Sequence, residues 1–245
     1  MKFIKIFSLL LLGFCFFYCS SSKELELKSS RDRFELAKRY YFEKRYVKAI
    51  ENLKIISYEK GVDYADSVQY ILADCYFNTQ QYILAAYEYQ DLVRFTPSSK
   101  LVPMSRYMIG LSYSNIAPNP SLDQSYTLRA ISELQAYLEY FPTHEKARDA
   151  EKLLLELRNK LAEKEYNTAI LYTKMSRFRS AIIYFNLVLE RFHDSSYADL
   201  AQLGLIRSYI SIGRSSLAKV EIDRFLIKYP NSSRRAEVIR LKESL

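Results

Sequence analysis

The sequence has little glycine and proline, few residues that bind metals, and no tryptophan. Its 245 residues include 5 Gly, 6 Pro, 3 Cys and 2 His. So few Gly and Pro residues argue against a β-sandwich, a β-barrel or a glycine-rich phosphate loop, because each of these needs tight turns. The Cys and His residues are too few to supply the ligands of most zinc sites. We therefore expect neither a metal nor any other cofactor.

Apolar and aromatic residues are abundant instead. The chain is 49% hydrophobic and contains 22 Tyr and 14 Phe, so it is apolar enough to bury a sizeable core. A composition poor in turn residues and rich in Ala, Leu, Lys and Glu predicts an all-α fold. The formal net charge is +8, but the basic residues often stand next to acidic ones, which is typical of a solvated surface. A basic face for a partner protein is the alternative, and we expect no nucleic-acid binding.

The first residues have the pattern of an export signal. Two lysines among the first six residues precede an almost purely apolar run, Phe7–Phe17, which is shorter than the roughly 20 apolar residues of a membrane span. The run ends at Cys19, which three serines and a lysine follow. This arrangement resembles a bacterial lipoprotein signal, in which the cysteine becomes the lipidated first residue of the mature chain. It predicts a signal peptide over 1–18, lipidation of Cys19 and a flexible tether over 19–30.

The identity of the anchor stays open. Lipoprotein signals usually have a small residue directly before the cysteine, whereas Tyr18 stands there in this sequence. Cys15 is a second candidate for lipidation, and an uncleaved apolar anchor or ordinary secretion are further alternatives. Each alternative places the rest of the chain outside the cytoplasm. After lipidation, Cys75 has no cysteine partner and is expected to be a small core residue.

Comparison of the sequence with itself shows a repeat. In each unit Tyr follows a small or apolar residue after three positions, and Ala follows after twelve in four of the five units. The units are Ala37-x-x-Tyr40 with Ala49, Ala73-x-x-Tyr76 with Ala85, Gly110-x-x-Tyr113 with Ala130, Ala169-x-x-Tyr172 with Ala181, and Ile206-x-x-Tyr209 with Ala218. Alanine lets two helix backbones approach closely, and we expect the Tyr ring to fill the gap to the next helix.

This pattern resembles the tetratricopeptide repeat, in which two antiparallel helices pack against the next such pair. We therefore predict an all-α fold, a tetratricopeptide-repeat α-solenoid with five helix-turn-helix units and a long joining helix. Short turns are expected at Glu43–Arg45, Asn78–Gln80 and Ser211–Gly213. The predicted domains are N-terminal repeats 1–3 at 31–142, the joining helix at 143–161, and C-terminal repeats 4–5 at 162–245.

No group of residues in the sequence suggests catalysis. The motifs G-x-S-x-G, H-E-x-x-H and C-x-x-C are absent, and so is a phosphate loop. His144 and His193 stand at a predicted helix start and in a predicted turn, where surface or capping roles are expected. We therefore predict a binding protein that is not an enzyme.

The concave side of the solenoid is the first candidate binding surface, because there such repeats hold extended or helical peptides. The predicted peptide-binding groove consists of Phe34, Lys38, Tyr41, Phe42, Tyr70, Asp74, Phe77, Asn78, Tyr107 and Asn115. Aromatic side chains beside one lysine and a few amides suit a peptide with aromatic side chains and a free carboxylate. The alternative is that several of these residues pack against the neighbouring unit.

The C-terminal repeats offer a second candidate surface, which is rich in arginine. The predicted docking residues are Arg207, Arg214, Lys219, Arg224, Arg234, Arg235 and Arg240. A face of this composition suits an acidic partner. The alternative is an ordinary solvated surface.

The signal, the repeats and several short stretches together resemble the BamD family, the tetratricopeptide lipoproteins of the outer-membrane β-barrel assembly machine. The stretches are Cys19–Lys23, Tyr107–Leu111, Leu157–Glu165, Ala169–Lys174 and Tyr229–Ser232. The resemblance covers essentially the whole mature chain. Only Cys19 is carried over from the family as a functional residue.

The resemblance implies a scaffold that is lipid-anchored in the outer membrane and faces the periplasm. Its partners would be unfolded outer membrane protein precursors in the N-terminal groove, and a BamA-like subunit at the C-terminal repeats, with other assembly subunits. A periplasmic tetratricopeptide adaptor of envelope coordination or cell division is the alternative function. An envelope enzyme with weak catalysis and a DNA-uptake protein are alternatives from other classes.

Overall fold

A computed structural model describes residues 29–59 and 61–245. The predicted signal peptide, Cys19 and most of the predicted tether lie outside the described residues. The described part of the chain forms α-helices and contains no strand. The helices are α1 (Ser30–Phe42), α2 (Tyr46–Ser57), α3 (Ala65–Asn78), α4 (Tyr82–Phe95), α5 (Val102–Asn115), α6 (Ser125–Tyr140), α7 (Ala147–Lys174), α8 (Phe178–Arg191), α9 (Ala198–Ser211), α10 (Ser215–Lys228) and α11 (Arg235–Glu243).

Consecutive helices pack against each other as antiparallel pairs. Turns of three residues connect α1 to α2, α3 to α4, α7 to α8 and α9 to α10, and turns this short join antiparallel neighbours. A longer loop connects α5 to α6. Each pair packs on the following pair, and α11 packs on α10. The predicted all-α solenoid of five helix-turn-helix units is confirmed.

The three-residue turns share one backbone conformation. Lys44, Gln80, Ser176 and Gly213 occupy the same turn position and have positive φ angles of 58°, 60°, 56° and 70°. The next residue donates its N–H to the carbonyl of the repeat tyrosine, as in the bond of 2.8 Å from Arg45 to Tyr40. This is the Schellman arrangement of a helix C-terminus. In four of the five units the repeat therefore includes the signal that ends the first helix.

The repeat alanines and the repeat tyrosines differ in how deeply they are buried. Ala49, Ala85, Ala130, Ala181 and Ala218 are all fully buried, as the prediction of close helix contacts requires. Of the repeat tyrosines, Tyr76 and Tyr113 are buried, while the other three are partly exposed. Tyr172, for example, stacks on Tyr184 at 5.3 Å between ring centroids. The partly exposed tyrosines Tyr40, Tyr172 and Tyr209 still pack against the core clusters, as expected of rings that fill the gap between helices, but they are not fully buried.

Helix α7 is a single helix of 28 residues. It includes most of the predicted joining segment and continues without a break through the first helix of the fourth unit. No Gly or Pro interrupts it, which is consistent with an unbroken helix. The division of the chain at 161 and 162 stays a prediction, since this boundary falls within one helix.

Side chains of α7 hold a loop on each side of the helix. Lys160 donates to the carbonyl of Ala117 at 3.0 Å, and Lys164 to that of Leu122 at 2.7 Å, in the loop between α5 and α6. On the other side, Arg158 forms a two-bond ion pair with Asp194 at 2.9 and 3.1 Å. These residues belong to the stretch Leu157–Glu165, so its charged side chains connect the third unit to the turn before the fifth.

Candidate functional site

A polar cluster in the N-terminal repeats is centred on Asp74 in α3. The Tyr41 hydroxyl of α1 donates to its Oδ2 at 2.6 Å, and the Asn78 amide donates to the same oxygen at 3.0 Å. The Tyr89 hydroxyl of α4 donates to Oδ1 at 3.2 Å. Three donors from three helices thus converge on one partly exposed carboxylate.

Aromatic rings surround this carboxylate. Tyr70 lies edge-on to Tyr89, with 5.6 Å between ring centroids, and Tyr41 lies edge-on to both Phe42 and Tyr46. Phe42 leaves 76% of its surface exposed. An exposed aromatic ring beside half-buried tyrosines is typical of a surface that binds a partner.

The electrostatics of the cluster keep its tyrosines protonated. Burial, reinforced by the Asp74 charge, raises the pKa of Tyr70 to about 12. The same two causes, with the hydrogen bonds to Asp74, also raise the pKa values of Tyr41 and Tyr89. All three hydroxyls therefore remain hydrogen-bond donors at physiological pH.

The structure brings together part of the predicted groove. Tyr41, Asp74 and Asn78 are in direct contact, and Phe42 and Tyr70 are linked to them through ring contacts. Phe77, also on α3, packs its ring edge-on against Tyr82 at 5.2 Å. Asn115 is exposed one unit further along, where its amide donates to the carbonyl of Leu111.

Two residues of the predicted groove belong to the core instead. Phe34 is buried and stacks on Tyr64 at 4.7 Å, and Tyr107 is buried against Tyr137 at 5.8 Å. Their place in the predicted groove was wrong, because Tyr64, directly before α3, packs on the Phe34 ring and Tyr137 of α6 packs on the Tyr107 ring. The sequence pattern alone does not distinguish a concave aromatic residue from one that seals the gap between two units.

The predicted cation of the groove is already paired. Lys38 forms an ion pair with Glu35 at 2.8 Å, and its ammonium lies 5.1 Å from the centre of the Phe34 ring. The charge at the centre of the cluster is the carboxylate of Asp74. The groove therefore presents a negative centre, where the sequence suggested a cation for a carboxylate ligand.

Tyr89 and Tyr46 also belong to the site, although the repeat pattern did not predict them. Both lie on second helices, whereas the prediction took residues from first helices only. Tyr89 is fully buried, and a buried tyrosine needs a partner for its hydroxyl. This requirement could have suggested from the sequence that the Tyr89 hydroxyl pairs with a polar side chain such as that of Asp74.

The predicted docking face of the C-terminal repeats divides into two sets. Arg234 pairs with Asp199 at 3.0 Å, Arg224 pairs with Glu221 at 2.6 Å, and Arg207 pairs with Glu237. The remaining residues are exposed and form no ion pair within the described residues; they are Arg214, Lys219, Arg235 and Arg240. The second set carries the charge that is available to a partner.

The described residues offer little for metal chemistry. Among residues 29–59 and 61–245, no three His, Cys, Asp or Glu side chains come together as metal ligands. His144 instead places its Nδ1 atom 2.7 Å from the Tyr137 hydroxyl. None of the helices in this part of the chain is both long and apolar enough to cross a membrane.

Five stacked helix pairs, four of them with Schellman turns and all with a buried alanine at the repeat position, define a helical-repeat protein of the tetratricopeptide class. The YfiO family, described as "Outer membrane lipoprotein", matches residues 27–199 and 176–243. The chain belongs to this family, which associates it with the outer membrane.

Two relatives carry the name outer membrane protein assembly factor BamD. The one from Xylella fastidiosa strain 9a5c is 29% identical over 136 residues, which are 51% of this chain and 47% of that protein. The one from Caulobacter vibrioides is 26% identical over 139 residues, which are 57% of this chain and 46% of that protein. The matched part of the chain thus spans about half the length of these relatives.

Solved structures give weaker matches. The TPR2AB domain of yeast Sti1, in a complex with pHSP90, aligns with a TM-score of 0.41 at 17% identity, over 87% of this chain and 84% of that one. A thermophilic TPR protein of Thermus thermophilus aligns with a TM-score of 0.38 at 16% identity, over 86% of this chain and 99% of that one.

Proposed function

We propose that the protein is a scaffold for the assembly of β-barrel proteins into the outer membrane, and that it works by binding and positioning rather than by catalysis. The observation that carries the proposal is the aromatic site around Asp74, in a chain of the YfiO outer membrane lipoprotein family. Two relatives named as BamD assembly factors support this role. The bound precursor and the docked subunit would be held together by avidity.

The proposed anchor is a lipid on Cys19, with the helical repeats on the periplasmic side. The predicted tether of residues 19–30 would let the repeats lie up to about 40 Å from the membrane, since an extended chain spans about 3.3–3.6 Å per residue. Fatty-acid labelling of Cys19→Ala and Cys15→Ala variants tests the anchor. Label that persists in the Cys19 variant would contradict it.

The N-terminal repeats are the proposed site for unfolded barrel precursors. Phe42 offers an exposed ring, and Tyr41 and Tyr70 extend the aromatic surface toward Asp74. Aromatic side chains of an extended precursor would pack on these rings, because large aromatic contacts dominate the energetics of such interfaces. The groove residues that remain in this proposal are Lys38, Tyr41, Phe42, Tyr70, Asp74, Phe77, Asn78 and Asn115.

The C-terminal repeats are the proposed docking site for a BamA-like barrel subunit. Arg235 and Arg240 of α11, with Arg214 and Lys219 near the start of α10, are exposed and have no acidic partner within the described residues. Free cations of this kind attract an acidic surface and speed its association. The arginines that pair internally are expected to contribute less.

Affinity purification of the full-length lipidated protein from membranes, with mass spectrometry of the bound proteins, tests the function. We expect a BamA-like barrel protein to co-purify, and its yield to fall for the double variant Arg235→Glu, Arg240→Glu. Arg148→Glu changes the charge of an exposed arginine on α7 and is the matched control. Purification of another envelope complex without a barrel subunit would contradict the proposal and favour a periplasmic adaptor.

A further inference from the structure

Asp74 is a carboxylate without a cationic partner within the described residues. Its three hydrogen-bond donors are two neutral hydroxyls and one neutral amide. None of the ion pairs of the described part of the chain includes it. A carboxylate accepts about four hydrogen bonds, so the neutral donors leave acceptor capacity and the negative charge unmatched.

The aromatic rings around Asp74 also favour a positively charged group on the ligand. The faces of aromatic rings carry negative potential and attract ammonium and guanidinium groups. Tyr41 and Tyr70 are partly exposed beside the carboxylate, and Phe42 is largely exposed. The protein already forms such contacts nearby, since Arg45 lies 4.6 Å and Lys48 lies 5.8 Å from the centre of the Tyr40 ring.

The site also opposes a carboxylate ligand. Like charges at close range repel each other, and more strongly near a protein surface than in bulk water. Lys38, which could have balanced a ligand carboxylate, is engaged with Glu35 at 2.8 Å. A free C-terminal carboxylate at this position would therefore meet Asp74 without a free lysine of the groove to offset it.

We infer that the Asp74 site of the N-terminal repeats binds an aromatic peptide segment through a positively charged side chain held between Asp74 and the rings of Tyr41, Tyr70 and Phe42. The inference rests on the proposed function and specifies the ligand of that site. A lysine or arginine next to an aromatic residue supplies both the charge and the ring. A segment inside a chain fits as well as a chain end, because the site needs no terminal carboxylate.

A series of short fluorescent peptides tests the inference on the full-length protein in detergent. The peptides share flanking aromatic residues and an amidated C-terminus, and their central residue is Lys, norleucine or Glu. A fourth peptide has norleucine and a free C-terminal carboxylate. We expect the Lys peptide to bind about threefold to tenfold more tightly than the amidated norleucine peptide, as a cation on aromatic rings predicts. The Glu peptide and the free acid should bind more weakly than the amidated norleucine peptide.

The variant Asp74→Asn should abolish the preference for Lys while leaving the norleucine peptide bound. Asp63→Asn is the matched control, since it removes the same charge at an exposed position in the turn between α2 and α3. If Asp74→Asn unfolds, as judged by circular dichroism, the loss of the Lys preference at high salt in the unmodified protein provides the second measurement.

The outcomes separate the inference from the proposed function. Equal affinity for the Lys and Glu peptides, or tighter binding of the free acid, would overturn the inference and leave an aromatic-binding scaffold standing. A Lys preference that survives in Asp74→Asn would also overturn it. Failure of all four peptides to bind would contradict the proposed precursor site together with the inference.

Discussion

At the scale of single residues, Gly204 in α9 lets the helix backbone pack closely against Phe185 of the preceding unit. A Cβ atom added at this position would lie 2.3 Å from Cζ of Phe185, and the Phe185 ring is itself buried in the core. We expect Gly204→Ala to lower the free energy of unfolding by about 1–3 kcal/mol, the usual cost of overpacking, in urea denaturation. The double variant Gly204→Ala, Phe185→Leu removes the clashing ring and should cost less than the sum of the single changes. If the costs of the two single changes are additive in the double variant, the Phe185 ring does not limit how closely Gly204 packs.

Cys75 provides a prediction about reactivity and pH. Burial raises the pKa of its thiol to about 12, against an ordinary value of 9.0. Because the unfolded chain loses this proton first, the contribution of the thiol to stability falls as pH rises from about 9 toward 12. Iodoacetamide at pH 8 should leave Cys75 unmodified in the folded protein and label it in urea, as peptide mapping can measure. Rapid labelling of the folded protein would mean that α3 opens locally.

The structural positions of small residues could be predicted from the sequence more reliably than those of aromatic residues. Alanine at a fixed spacing has one structural explanation, close helix contact, and all five repeat alanines are buried. Tyrosine can lie in the core, at the rim or on the concave face. The difference between the buried Tyr107 and the partly exposed Tyr70 depends on what the neighbouring helices cover. The two tyrosine partners of Asp74 lie 33 positions before it and 15 after it, which no local pattern reveals.

At the scale of elements, the turn between paired helices stores backbone strain. Gln80 has φ 60° and Ser176 has φ 56°, a conformation that costs a non-glycine residue about 1 kcal/mol or more. We expect Gln80→Gly to raise the free energy of unfolding by about 0.5–1 kcal/mol, measured by urea denaturation. Gly213 is the reciprocal control, because Gly213→Ala should destabilise the protein by a similar amount at the equivalent position. A destabilised Gln80→Gly variant would mean that the glutamine side chain contributes more than its backbone costs.

The sequence predicted the helical elements well, because its repeat marks where the first helices end. The predicted turns at 43–45, 78–80 and 211–213 lie within one residue of those in the structure. The sequence was less informative about how the joining segment continues into the first helix of the fourth unit. Its contacts, such as Arg158 with Asp194 and Lys164 with the Leu122 carbonyl, connect residues 36 and 42 positions apart. A charged side chain on an exposed helix face does not indicate which loop it will contact.

At the scale of the whole molecule, the hydrophobic core is a series of neighbouring clusters. The first includes buried residues from Phe34 to Leu161, the second those from Ala162 to Leu205, and the third those from Leu203 to Val238. Stability in such solenoids is approximately a sum over units and their contacts with nearest neighbours. The proposed precursor site lies on the first cluster, and the proposed docking face lies on the third. A partner at one end can therefore bind without rearranging the other.

The final helix tests this modular description. Val238 of α11 is fully buried and packs in the third cluster with Ile206, Ile222 and Phe225. Removal of residues 235–245 would expose these side chains, as loss of the terminal cap does in repeat proteins. We expect amide hydrogen exchange to become faster in α9 and α10 and to stay unchanged in α1–α6. The control is Arg240→Ala, which changes an exposed residue of α11 and should leave exchange unaltered throughout. Faster exchange along the entire chain would mean that the solenoid unfolds as one cooperative unit, and that a partner bound to α11 stabilises the precursor site at the opposite end.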